Sequence, residues 1–245
     1  MHIPERRLYE NSEKIAFFIH GFMGSPDQFK ELMDIFVKNG FSVVSTLLPG
    51  HGNSETDFLK VTLDDWETHI KNEILLLQNY GKIYLIGHSI GGLLALNLSM
   101  EIDVAGVIAI STPLKIYLFN LKAYWRRIKF MCLKKDSEIK KVYKDAMSIR
   151  KPNFYKIPLL LKVMFQPHKL MRKTAKNLKQ ISVPTLMFHS KNDETVVLKS
   201  SKLFKEGLTN SCHQNIVLND SFHAYYTKDE WKLVVNSILK YIHNY

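Results

Sequence analysis

Cysteine is scarce in this 245-residue sequence, which contains only Cys132 and Cys212. Two cysteines cannot build the disulfide framework of a small secreted domain, and such usage is typical of a reducing compartment. The sequence also lacks the paired cysteines and the H-E-x-x-H motif of zinc sites, and both glycine-rich motifs that cradle nucleotide phosphates. We therefore expect no metal and no cofactor.

Long hydrophobic runs are absent as well. The most apolar short stretch, residues 157–165, is too short to cross a bilayer and contains both a proline and a lysine. Residues 1–7 have none of the apolar character of a secretory signal. These absences predict a protein of the cytoplasm.

Acidic residues are scarce in one segment only. The chain carries a net charge of +11, but between Pro113 and Lys179 there are 19 lysines and arginines against three acidic residues, so that the rest of the chain is mildly acidic. A composition shift of this size marks a boundary. We predict a core made of residues 1–112 and 183–245 and a lysine-rich insertion over residues 113–182.

Outside the insertion, short apolar runs alternate with segments of helical spacing. The apolar runs predict buried strands over residues 15–19, 41–46, 83–86, 104–110, 185–189 and 216–218. Within the insertion the apolar residues recur every three or four positions instead, which predicts short amphipathic helices. Alternation of this kind indicates the α/β class, with a mostly parallel sheet and helices on both faces.

One motif in this alternating pattern is typical of a nucleophile. Residues 87–91 read G-x-S-x-G, and a predicted strand runs into the motif while a predicted helix starts inside it. A serine on such a sharp strand-to-helix turn projects its hydroxyl above the sheet, in front of a helix N-terminus. We therefore predict Ser89 as a nucleophile. The backbone N–H groups of Ile90 and of Phe22, in the loop over residues 20–24, are the expected donors to an oxyanion.

A serine hydroxyl is a poor nucleophile without a base, and the chain has ten histidines to choose from. His223 directly follows the last predicted strand, which is where such an arrangement has its base. His243 falls in the final predicted helix, and His213 precedes the last strand at the opposite edge of the sheet. His223 is therefore the predicted base.

The acid is expected in the loop after the penultimate strand. Asp193 lies in that loop and is our choice, with Glu194 as the nearest rival and Asp220, in the loop of the base, as a weaker one. The resulting chain order of serine, aspartate and histidine differs from the orders of the other serine-protease folds. Three separate elements that each end in a required residue make a strong joint signal.

Three other histidines follow strands close to tight turns. His20, His51 and His88 each stand next to a glycine. Buried polar side chains at such turns are normally hydrogen-bonded to the backbone. We expect structural hydrogen bonds, and not chemistry, from all three.

Five segments resemble those of the bacterial carboxylesterase and monoacylglycerol-lipase family: residues 20–26, 48–52, 63–66, 87–92 and 192–196. The resemblance covers nearly the whole chain outside the insertion. It implies the α/β-hydrolase fold with a helical cap inserted after the sixth strand, hydrolysis of carboxylic esters, no cofactor, and a catalytic triad at Ser89, Asp193 and His223. Ala224 departs from the family, which usually has a branched apolar residue after the histidine.

The expected reaction is hydrolysis of an ester with a small or medium acyl chain through an acyl-enzyme intermediate. A thioesterase or an amidase would use the same three residues, and a small-molecule receptor of the same fold would turn over little or nothing. Aromatic residues of the insertion are expected to shape the acyl pocket. We name Trp125 and Phe165 there, and Met23 in the loop after the first predicted strand, as substrate-binding candidates.

The lysine-rich faces of the insertion have two interpretations. They are either solvated helix surfaces, which we favour, or a surface for anionic lipid, with Arg126, Arg127 and Lys129 near the best contact helix. No nucleic-acid-binding motif accompanies the charge, so nucleic acid is not an expected partner.

Overall fold

The computed structural model describes residues 2–9, 12–52, 55–116, 138–149 and 157–244. Its strands are β1 (Arg6–Arg7), β2 (Lys14–Ile19), β3 (Ser42–Ser45), β4 (Lys82–His88), β5 (Gly106–Ile110), β6 (Thr185–Ser190) and β7 (His213–Leu218). They form one sheet in the order β1-β3-β2-β4-β5-β6-β7. All neighbouring strands are parallel except β1, which is antiparallel to β3.

Helices connect the parallel strands. The described helices are α1 (Lys30–Lys38), α2 (Glu55–Phe58), α3 (Leu63–Leu75), α4 (Ile90–Leu98), α5 (Glu138–Ala146), α6 (Ile157–Asn177), α7 (Lys199–Gly207) and α8 (Lys228–Asn244), with short 3-10 helices at Pro26–Phe29 and Leu178–Gln180. The start of α3 is fixed by a capping box, in which Thr62 and Asp65 each accept the backbone N–H of the other.

The sheet is buried on both faces. Ile15, Phe17 and Ile19 of β2 belong to a core cluster that also contains residues of α3 and α4. Ala16 and Phe18, which alternate with them, belong to a second cluster with residues of α1 and α8. Because successive side chains of a strand point to opposite faces, a strand covered on both sides must be apolar throughout. The predicted α/β-hydrolase fold with helices on both faces is confirmed.

The insertion leaves the sheet after β5. This is the strand that ends at Ile110, just before the predicted insertion begins. The placement of a helical cap after the sixth strand, which the family resemblance implied, stays a prediction. Of the residues named in it above, Trp125, Arg126, Arg127 and Lys129 lie outside the described residues. The division of the chain at residues 113 and 183 stays a prediction.

One helix of the insertion is longer than the sequence predicted. α6 runs for 21 residues although Pro167 lies inside it, where a proline has no N–H to donate to the preceding turn. Pro158 lies in the first turn, where a proline interrupts no hydrogen bond. Leu170 of α6 is fully buried, and Oγ1 of Thr174 accepts a hydrogen bond of 2.6 Å from Nδ2 of Asn97 on α4. The helix therefore packs directly on the core.

The start of α4 lies unusually close to the neighbouring strands. A Cβ atom built on Gly91 would lie 2.1 Å from the carbonyl oxygen of Ile19, and one built on Gly92 would lie 2.0 Å from Oγ1 of Thr112. No side chain fits at these distances, so the two glycines permit the approach.

We expect Gly91→Ala to lower the free energy of unfolding by about 3 kcal/mol, the upper range for an overpacked site, since the methyl group meets backbone. Gly40→Ala is the control, because Gly40 has open space around its Cβ position and a φ of +80°. Backbone strain alone should cost about 1 kcal/mol there. Urea unfolding followed by circular dichroism measures both, and equal losses would contradict the close approach of α4.

Candidate active site

Three loops meet at the carboxyl-terminal edge of the parallel strands. Ser89 follows β4, Asp193 lies in the loop after β6, and His223 lies in the loop after β7. In open α/β sheets this edge is where binding and catalytic side chains collect. The structure brings the three predicted triad residues to the same edge.

Ser89 occupies a strained turn. Its φ of 55° and ψ of −120° form a conformation that few residues other than glycine adopt. Its backbone N–H donates to the carbonyl of Ile110 at 2.8 Å. Because α4 begins at the next residue, the helix dipole favours negative charge beside the Ser89 side chain.

Asp193 and His223 form a hydrogen-bonded pair in which the carboxylate is buried. Nδ1 of His223 lies 2.9 Å from Oδ2 of Asp193, whose residue is 1% exposed. The other carboxylate oxygen, Oδ1, accepts the backbone N–H groups of Thr195 at 2.8 Å and of Val196 at 2.7 Å. These three donors compensate for the burial of the carboxylate. With Nδ1 held in this way, Nε2 is the nitrogen of His223 that remains for proton transfer.

The pair shifts the pKa of both partners. Burial lowers the pKa of His223, but the charge of Asp193, the hydrogen bond to it and the charge of Glu194 outweigh burial, so the pKa is raised above the usual 6.5. Burial raises the pKa of Asp193, and His223 together with two backbone N–H groups outweighs burial, so that pKa is lowered. Asp193 is therefore a carboxylate at neutral pH.

A cavity of about 70 Å³ lies beside the strained turn. Ser89 and His223 both line it, together with Phe22, Tyr143 and others. The loop after β2 passes close by, since a Cβ atom built on Gly21 would lie 3.2 Å from Cβ of Ser89. The candidate nucleophile and the candidate base thus share one cavity.

The two expected oxyanion donors lie on either side of the strained turn in the sequence. Phe22 is in the wall of the cavity, and Ile90 directly follows Ser89 as the first residue of α4. Within the described part of the chain neither backbone N–H donates to a protein acceptor, whereas the N–H of Met23 donates to Nε2 of His51 at 3.1 Å. The role of Phe22 and Ile90 as oxyanion donors stays a prediction.

The hydrogen bonds expected of the three turn histidines are present. Nε2 of His20 accepts the N–H of Leu48 at 3.0 Å, and Nε2 of His88 donates to the carbonyl of His223 at 2.9 Å. Burial is the main cause that lowers the pKa of His51 to about 4 and of His88 to about 3. Both side chains are neutral at physiological pH and hold the loops around Ser89.

Of the three substrate-binding candidates, the structure describes Phe165 and Met23. Phe165 is 61% exposed and is not brought to the cavity. The buried stripe of α6 passes through Val163 and Leu170, and Phe165 lies off it, so its role in substrate binding stays a prediction. Met23 is half-buried against the core and does not line the cavity either. Trp125 lies outside the described residues.

The structure adds residues that sequence reasoning missed. Tyr143 and Met147, at the end of α5, form part of the cavity wall. Their helical spacing predicted an amphipathic helix but gave no signal for the strand edge that the helix meets. Glu194, the rival acid, accepts the backbone N–H of His223 at 3.1 Å, while Asp220 is exposed.

Among the residues that the structure describes, no group of three or more His, Cys, Asp or Glu could hold a metal ion. None of the described helices has both the length and the apolar character needed to cross a membrane.

Known proteins are similar to most of this chain. The family model Hydrolase_4, described as serine aminopeptidase, S33, matches residues 10–230. The thermostable monoacylglycerol lipase of Bacillus sp. (strain H-257) is 25% identical over 225 residues, which cover 88% of this chain and 84% of the relative. The carboxylesterase of Bacillus subtilis (strain 168) is 20% identical, covering 98% and 96%. The crystal structure of the Paleococcus ferrophilus monoacylglycerol lipase has a TM-score of 0.72 at 15% identity, covering 98% of both chains.

We expect the protein to lose stability as the pH falls below 6.5. Burial is the largest cause that lowers the pKa of four histidines: His20, His51, His88 and His189. Below about pH 6.5 the unfolded chain binds protons at these positions and the native state does not, so stability decreases on acidification. The raised pKa of His223 has the opposite effect on stability, but it concerns one histidine against four.

Thermal unfolding midpoints between about pH 7.5 and pH 5 measure this effect. His51→Gln is the informative variant, since an amide oxygen still accepts the Met23 N–H but does not titrate, and its midpoint should depend less on pH. A wild-type midpoint that is constant or rises on acidification would contradict the prediction.

Proposed function

Because the chain belongs to the family described as serine aminopeptidase, S33, we propose that it hydrolyses carboxylic esters of small to medium acyl chain, with Ser89 as nucleophile, Asp193 as acid and His223 as base. It is a hydrolase of the α/β-hydrolase superfamily with esterase and lipase homologues. The proposal depends most on the 2.9 Å hydrogen bond between His223 and Asp193, at the strand edge that carries the strained turn of Ser89.

In the proposed reaction, Nε2 of His223 takes the hydroxyl proton of Ser89 while Oγ attacks the ester carbonyl carbon. The carbonyl oxygen becomes an oxyanion that accepts the backbone N–H groups of Phe22 and Ile90. The bond to the alcohol then breaks, the alcohol leaves with the proton from His223, and the acyl group stays on Ser89. Water attacks the acyl-enzyme by the same steps and releases the carboxylic acid. Asp193 stays ionised and stabilises the imidazolium.

The size of the cavity supports substrates with the shorter of these acyl chains. Its volume of about 70 Å³ is well below the roughly 300–1,000 Å³ of pockets for drug-sized ligands. Ala146 of α5 and Met147, the residue after this helix, give it an apolar wall. The names of the two bacterial relatives, a monoacylglycerol lipase and a carboxylesterase, support an ester as the substrate.

Other substrates of the same triad receive less support. The family description names an aminopeptidase, and a carboxylate would suit the free amino group of a peptide. None of the described residues that line the cavity is acidic. Thioester and amide hydrolysis, and a receptor without turnover, are distinguished from esterase activity by comparing a short p-nitrophenyl ester with the matched thioester and anilide.

Two further parts of the proposal depend on composition. The 19 basic residues between Pro113 and Lys179 support attraction of the insertion to an anionic membrane surface. The scarcity of cysteine supports a cytoplasmic location. Neither nucleic acid nor a cofactor has a part in the proposed reaction.

We expect Ser89→Ala to reduce kcat for a short p-nitrophenyl ester by about 10⁴-fold or more, because the residue that forms the acyl-enzyme is lost. Ser99→Ala, at the other end of α4, is the control and should keep wild-type turnover. Circular dichroism of both variants checks the fold. Near-wild-type hydrolysis by a folded Ser89→Ala variant would rule out the proposed nucleophile.

A further inference from the structure

One helix of the insertion contacts both loops that flank the candidate nucleophile. The residue after α5, Met147, forms an isolated β-bridge with Gly24, in the loop that carries Phe22. One turn earlier, Tyr143 lies against the loop that carries His223. A movement of α5 would therefore change its contacts with the loops on both sides of the cavity.

Tyr143 and Glu194 connect α5 to the backbone of the base. The hydroxyl of Tyr143 donates to Oε1 of Glu194 at 2.7 Å and accepts the N–H of Ala224 at 3.1 Å. The second oxygen of Glu194, Oε2, accepts the N–H of His223 at 3.1 Å. One hydroxyl and one carboxylate thus hold two consecutive backbone N–H groups of the base loop.

These contacts are protected from water. Glu194 is 6% exposed, although it is charged, and Tyr143 is half-buried. A buried carboxylate is stable only where donors satisfy its oxygens. The insertion supplies one of these donors through Tyr143, and the base loop supplies another through the N–H of His223. If α5 moved away, Glu194 and Ala224 would each lose a hydrogen-bond partner.

The imidazole of His223 faces groups from several elements. Asp193 and Glu194 are the two carboxylates beside it, and both raise its pKa. His88, whose ring centre lies 4.8 Å away, is neutral. Burial is the main cause that raises the pKa of the Tyr143 hydroxyl, so that group is neutral as well. Loss of the charge of Glu194 would therefore change the titration of His223.

We propose that Tyr143 and Glu194 are positioning residues that hold the backbone of His223 to α5, so that the base is in place for proton transfer only while this helix of the insertion is docked. Misplacement of a catalytic group by a fraction of its contact distance is enough to slow a reaction strongly. The inference rests on the proposed role of His223 as base. It adds that the position of this base depends on the insertion.

Two substitutions separate the hydrogen bonds from the charge. Tyr143→Phe removes the hydroxyl and keeps the ring and the charge of Glu194. Glu194→Gln keeps the size of the side chain and removes its charge. The measurements are kcat, KM and the pH dependence of kcat/KM for a short p-nitrophenyl ester, since the acidic limb of that profile reports the essential base of the free enzyme.

Tyr143→Phe should lower kcat by roughly 3- to 10-fold, the effect of one lost hydrogen bond, with little change in KM. The midpoint of the acidic limb should stay near the wild-type value, because Glu194 remains charged. Glu194→Gln should lower kcat at least as much and displace the midpoint to lower pH, since a negative charge beside the imidazole is lost. The double variant should resemble the worse single variant, because the two residues act as one unit.

Tyr225→Phe is the matched control. Burial and the charge of Glu138, at the start of α5, raise the pKa of the Tyr225 hydroxyl, so this side chain lies near the same helix and belongs to the same loop as the base. Loss of this hydroxyl should leave kcat within about twofold of wild type, as for an exposed interaction, and leave the pH profile unchanged. Glu194→Asp, which keeps the charge, should keep its midpoint closer to wild type than Glu194→Gln does.

The inference is overturned if Tyr143→Phe and Glu194→Gln both match Tyr225→Phe in kcat and in pH midpoint. It is also overturned if the effects of the two substitutions on kcat multiply in the double variant. If Glu194→Gln does not fold, a comparison of kcat between Tyr143→Phe and Tyr225→Phe still decides whether the inference holds. Activity that survives in Ser89→Ala would instead mean that the proposed function fails, which is a separate result.

Discussion

The buried hydrogen bond between Asp193 and His223 is the interaction on which the site depends. A carboxylate taken out of water needs donors, and Asp193 has His223 together with two backbone N–H groups of its own loop. The two loops meet because β6 and β7 are parallel neighbours, paired up to Ser190 and Leu218. The order of the sheet therefore places His223, and the charge of Asp193 then raises the pKa of that side chain.

The pKa values of two neighbouring histidines at this edge of the sheet are shifted in opposite directions. His88 lies deep in the protein beside the base, and burial is the main cause that brings its pKa down to about 3. His223 is partly buried, yet its pKa is raised because Asp193 and Glu194 outweigh burial. A neutral histidine can hold backbone groups, whereas one next to buried carboxylates can accept a proton and keep it during the reaction. The carboxylates thus distinguish His223, the proposed base, from its neighbours.

Much of this arrangement could be predicted from local sequence. Apolar runs indicated strands buried on both faces, and the G-x-S-x-G motif indicated the turn at which Ser89 adopts its positive φ. The two-residue strand β1 and the length of α6 were not predicted, because neither has a strong local pattern. The contacts of Tyr143 could not be predicted at all, since helical spacing does not state which loop an inserted helix will meet. Asp193 and Glu194 are adjacent and both buried, so only their geometry distinguishes the partner of Nδ1 from the partner of the backbone.

The central claim, that the buried Asp193 carboxylate holds His223 in the state that activates Ser89, is tested most directly by Asp193→Asn. An amide at this position keeps the shape but favours the wrong tautomer of the imidazole, so kcat for a short p-nitrophenyl ester should fall by about 10⁴-fold. Asp220→Asn, in the loop of the base but exposed, should keep wild-type turnover. A folded Asp193→Asn variant with the turnover of Asp220→Asn would contradict the account.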